Sequence, residues 1–115
     1  MRTPDIFHIK QGNTSPLFRR TLLDGDEEAI DLTGAAVFAS MRMRTDGSIV
    51  FYRRACSIIG TATDGVVQYS WQEGDTAADG KADFEFVIVY ENDREESVPN
   101  SGMVEVRIAE SIPSE

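Results

Sequence analysis

Ala82–Tyr90 reads Ala-Asp-Phe-Glu-Phe-Val-Ile-Val-Tyr, and no other run constrains the fold of this chain so tightly. Ala82, Phe84, Phe86, Ile88 and Tyr90 share one face of an extended strand. Asp83 and Glu85 point the other way until Val87 and Val89 make the second face apolar too. Such a strand is half-covered at its start and fully covered at its end. It predicts a central strand with neighbours on both sides and a second sheet beneath it.

The flanking runs supply those neighbours. Ile6–Lys10 is a short β-prone segment, predicted at a sheet edge and closed by the turn formers Gly12, Asn13, Ser15 and Pro16. Leu17–Leu23 follows as a second strand and ends at Asp24-Gly25, a hairpin signal. In Ala36–Arg44 the apolar positions Val37, Ala39, Met41 and Met43 alternate with Ser40, Arg42 and Arg44. Ile49–Arg54 returns antiparallel after Asp46-Gly47, in one of two registers. A two-residue turn sets Met43 opposite Val50, whereas one bulged residue sends Ile49 and Phe51 inward. Ala55–Ile59 continues the sheet after a bend, Val67, Tyr69 and Trp71 form an inward face, and Val104, Val106 and Ile108 make a last one. One short helical turn is expected near 75–79, where Asp75 or Thr76 caps it and Gly80 ends it. Glu91–Glu96 reads as an acidic turn.

Seven or eight short strands with turn signals between them, and no helix of length, predict an all-β, immunoglobulin-like antiparallel β-sandwich. The 115 residues form a single expected domain, with 1–5 and 110–115 as flexible tails. The one cysteine, Cys56, rules out an internal disulfide and lies in an apolar run, where a buried thiol acts as a small hydrophobe; a reactive thiol is the alternative. A net charge of −9 argues against a nucleic-acid partner, because phosphate neutralisation needs a concentrated basic face. No apolar run reaches the roughly 18 residues of a membrane span, and no secretory signal is visible.

Reaction chemistry finds little support. His8 stands alone on an edge strand, without the partners that a general base or a metal site needs. The carboxylates of Asp24–Glu28 and Glu91–Glu96 fall in turns that lack the twelve-residue calcium loop, and neighbouring turn carboxylates do not frame a sugar cleft. The sequence therefore predicts no enzyme, no cofactor and no metal. The arginine pairs are more informative: Arg19-Arg20, Arg42/Arg44 and Arg53-Arg54 gather positive charge in the first half while the turns carry the negative. Such separation suits head-to-tail contact between copies or docking on a charged partner. Those six arginines, together with Ile6, His8 and Lys10 of the edge strand, are the expected partner contacts. A carbohydrate- or receptor-binding platform built on Trp71, Tyr69 and Tyr52 is the alternative, and it requires an exposed Trp71.

The order of several short motifs carries a resemblance. They are Ile9–Leu17, Asp31–Val37 and Met41-Arg42 before Asp46-Gly47, then Gly65–Trp71 before Gly74–Thr76, Phe84–Phe86 and Val98–Gly102. In this order they resemble the immunoglobulin-like N-terminal domain of tailed-phage baseplate upper proteins. The resemblance implies a non-enzymatic virion structural protein present in symmetric copies. It would be free-standing here, made in the host cytoplasm and docked on other phage proteins of the tail, baseplate, neck or capsid surface.

Overall fold

The computed structural model describes residues 6–14, 17–98 and 104–110. Among the described residues nine strands run in chain order as β1 (Ile6–Lys10), β2 (Phe18–Thr21), β3 (Ala36–Met43), β4 (Ile49–Ala55), β5 (Ser57–Ile58), β6 (Val66–Tyr69), β7 (Gly80–Val89), β8 (Glu95–Val98) and β9 (Val104–Ala109). The larger sheet has the order β1-β9-β7-β3-β4, with β8 paired to the second half of β7, and the smaller has the order β2-β6-β5. The chain is an all-β, immunoglobulin-like sandwich.

The alternation in 82–90 does what its pattern demands. Ala82, Phe84, Phe86 and Ile88 are buried against the smaller sheet, and β7 is paired along its length: with β3 on one side, and with β9 and then β8 on the other. Two differences from the expected topology follow from non-local pairing. β1 lies parallel to β9, so the sandwich is mixed rather than wholly antiparallel. Glu95–Val98, expected as part of a turn and its exit, is a strand because Tyr90 and Arg94 close a tight hairpin that lays it against β7.

The helical turn expected near 75–79 does not form. The Asp75 carboxylate instead accepts the backbone N–H of Gln72, which holds 73–76 as a hydrogen-bonded turn. The single 3₁₀ turn among the described residues is Ala62–Asp64, closed by Gly65. Gly65 sits at φ 69° in the left-handed region, and a Cβ there would come within 2.9 Å of the Ile30 carbonyl. That close approach lets Gly65 accept the Leu22 N–H, while Leu22 accepts the Ile30 N–H. The two bonds root a protruding hairpin, Leu22–Ile30, whose Leu23 and Ala29 also pair.

β4 settles the open register by a bulge. Phe51 is opposite Met41 and buried, yet Ile49 is opposite Arg42 and 61% exposed, so only half of the bulged alternative holds. Arg53 takes a positive φ of 54° at this irregularity, and its N–H donates to Ser40 Oγ. Beyond it the Cys56 N–H donates to the Val37 carbonyl, and Ser57 then pairs with Gln68 of the other sheet. One continuous segment thus stitches the two layers along one side.

Between the layers lies a predominantly aromatic core. Phe18 stacks on Phe84 with centroids 4.4 Å apart, and Phe51 stacks on Tyr69 at 4.7 Å. Trp71 packs edge-on against both Phe84 and Tyr69. Burial of each ring contributes about 1.5–3 kcal/mol, and well-oriented pairs add about 0.5–1.5 kcal/mol. The expected tail 1–5 and all of the expected tail 110–115 except Glu110 lie outside the described residues, as do Ser15, Pro16 and Pro99–Gly102 of the motif series.

Candidate functional site

The outward face of the larger sheet brings together residues that are distant in sequence. Inward positions of β3, β7 and β9 are apolar, so strand alternation puts Arg42, Lys81, Asp83, Glu85, Glu105 and Arg107 on the other side. Arg44, just beyond β3, donates to Asp83 at 2.7 Å and to Glu105 at 3.1 Å. Arg107 also donates to Glu105, and Arg42 lies 3.7 Å from Asp83. This lattice holds the Glu105 carboxyl below its ordinary range, chiefly through Arg107, and raises Arg44, chiefly through Asp83.

Toward the other end of the same face β3 and β7 carry apolar residues at outward positions. Phe38 on β3 is opposite Val87 on β7, which is opposite Ser97 on β8. An ion pair between Arg53 of β4 and Glu95 of β8, 2.7 Å long, spans the two strands between them. Arg53 also sits over the ring of Tyr52, 5.6 Å from its centroid. Tyr52 itself is 69% exposed.

The expected contact residues do not share one surface. Arg42, Arg44 and Arg53 lie on this face, as do His8 and Lys10, which are exposed on the edge strand β1 beside half-buried Ile6. Arg19 is on the outer face of the smaller sheet, where it donates to Gln68 Oε1. Arg20 lies over the Phe18 ring at 4.6 Å and covers the core where β1 meets β2. Arg54 turns inward: its guanidinium donates to Asp75 at 2.6 Å and to the Tyr69 hydroxyl oxygen at 2.8 Å. Asp75, 3% exposed, also accepts the Tyr69 O–H at 2.6 Å. Burial, with Asp75 alongside, pushes the Tyr69 hydroxyl well above its ordinary value. The sequence reading took Asp75 as a candidate helix cap and did not connect it with Arg54 and Tyr69.

The aromatic sugar platform is corrected by burial. Trp71 is 5% exposed and Tyr69 1%, both inside the core, so neither offers a stacking surface. Cys56 is half-buried, and burial pushes its thiol up to about 12. Among the described residues no group of His, Cys, Asp or Glu is placed to hold a metal ion. A shallow depression is lined by Thr33, Tyr90, Glu91, Asn92 and Arg94. No helix among the described residues is long and apolar enough to cross a membrane.

No family model and no curated protein sequence matches the chain. Among solved structures it is similar to CopC from Methylosinus trichosporium OB3b, with a TM-score of 0.53 and 10% identity over 96% of this chain and 90% of that one. The likeness is one of fold. It supports the immunoglobulin-like sandwich, and it overturns the virion structural role that the baseplate resemblance implied, because the matched protein is not a phage structural protein. The motifs behind that resemblance are turns and strand ends, which many sandwiches share for steric reasons.

Proposed function

We propose that this protein is a non-catalytic binding module that engages a protein partner through the outward face of its larger sheet. The observation that carries this reading is the apolar character of part of that face. An antiparallel sheet with one solvated side ordinarily alternates cleanly between apolar-in and polar-out. Here Phe38 and Val89, both half-buried, occupy outward positions beside buried Val87, and the edge strand adds Tyr52 and Ile49, both more than half exposed. An amphipathic tyrosine rimmed by ion pairs is the composition of a protein interface, with an apolar centre and a charged border.

Photo-crosslinking in the native cell tests it. A benzoylphenylalanine placed at Tyr52 is expected to give discrete protein adducts, and one placed at exposed Thr63 on the 3₁₀ turn to give none. Adducts from position 63 with none from position 52 would overturn the assignment of this surface.

A further inference from the structure

Strand register assembles a row of basic side chains on the same face. His8 is opposite Arg107, Arg107 is opposite Lys81, and Arg44 donates its N–H to the Lys81 carbonyl, continuing the row onto the β3 side. Lys10 closes its β1 end. Arg107 and Lys81 are like charges directly opposite each other, which is unfavourable, so folding alone does not select their pairing. The adjacent Glu105 and Asp83 offset it only in part, and neither Lys81 nor Lys10 has an anionic partner among the described residues. Glu85, two positions along β7 from Asp83, and Glu95 of β8, paired with Arg53, are further acids on this face.

The excess negative charge sits at the opposite end of the molecule. Strand directions gather there the hairpin Asp24–Glu28, Asp31, Asp64 and the turn Glu91–Glu96, against only Arg53 and Arg94. Over the rest of the described chain acidic and basic side chains are equal in number. Asp24 is used within the hairpin, accepting the N–H groups of Asp26 and Glu28, which leaves the exposed carboxylates of Asp26 and Glu28 at the tip.

We propose that the row His8–Arg107–Lys81–Arg44 receives the acidic hairpin of a second copy of this chain, so that copies associate head to tail. This rests on the docking-face reading above and names the occupant. The two patches differ, so the contact is heterologous: each copy offers a free hairpin and a free row, and growth ends only when a ring closes. Two charged patches steer and orient this encounter and are screened by salt.

Sedimentation velocity on the full chain, at low and high salt, tests the proposal. Association at low salt is expected to weaken at least tenfold at high salt. The variants Lys10→Glu/Lys81→Glu and Asp26→Lys/Glu28→Lys change only exposed side chains, and each alone is expected to be monomeric. Mixed, they are expected to associate again, because the first keeps the acidic hairpin and the second keeps the basic row. Circular dichroism and melting of each variant exclude misfolding. A wild-type monomer at every salt concentration would overturn the second copy as occupant while leaving the sheet face to its own crosslinking test. Association that survives both variants, with hydrogen-exchange protection away from this face, would overturn both.

Discussion

Two charge networks in this protein are built from the same residue types, and their surroundings give them opposite roles. Arg54, Asp75 and Tyr69 meet at the seam between the sheets, where Asp75 is almost fully enclosed. Arg42, Arg44, Asp83, Glu105 and Arg107 meet on an open sheet face, with arginines 43–49% exposed. In the enclosed network each member satisfies another that would otherwise be stranded, so removal of one leaves a costly unpaired group. In the open network water replaces a lost partner, so the same arginines remain available to another molecule. Burial, rather than residue type, separates structural charge from charge that can act outward.

The largest effect should come from the enclosed side. Asp75→Ala removes the acceptor of the Tyr69 O–H and the Gln72 N–H and leaves the Arg54 guanidinium only the Tyr69 oxygen and water, and is expected to lose about 3 kcal/mol in urea unfolding. Arg54→Met removes the guanidinium that lies over the Phe51 ring and leaves Asp75 two other donors. A loss of about 1–2 kcal/mol is expected. On the open side Arg42→Gln and Arg44→Gln together should leave the melting temperature within error. A loss as large as that of Arg54→Met would erase the contrast between the networks.

The pH dependence sharpens the contrast further. Burial and Glu96 push Tyr90 up to about 12 from 10, and burial pushes Cys56 up to about 12 from 9. A folded-state value above the unfolded one gives stability that is complete below the unfolded value and lost as pH rises through the folded one. Stability is therefore expected to fall between about pH 9 and pH 12, and Cys56 to resist alkylation at pH 8 until the protein is unfolded. In the open lattice Glu105 and Glu95 lie below 4.5 because of Arg107 and Arg53. Their smaller contribution is present above 4.5 and vanishes as pH drops through the lowered values, and added salt should diminish it.

Much of the sandwich was legible because its signals are local. The alternations in β7, β9, β6 and β3 each identify a buried face within a few residues, and glycine turns separate them. β8 was not legible, since Glu95-Glu96-Ser97-Val98 has one apolar residue and becomes a strand only through pairing with β7. The parallel β1–β9 pair was equally silent, because nothing in a strand's own sequence records the direction of its neighbour. The basic row escaped for a related reason: its members come from four places in the chain and meet only once the register is known. Arg53 and Arg54, adjacent and alike in sequence, part at the β4 bulge, one crossing the outer face and the other entering the seam.

The parallel union of β1 with β9 has a mechanical consequence. Because Ile6 lies beside Glu105 and Lys10 beside Ala109, tension that pulls the start of β1 against the end of β9 loads all of the ladder's bonds together in shear. An antiparallel pair pulled from one end would open them in sequence. The first and last strands therefore act as a clasp that resists stretching along the long axis and yields far more readily to a peeling force applied from the side.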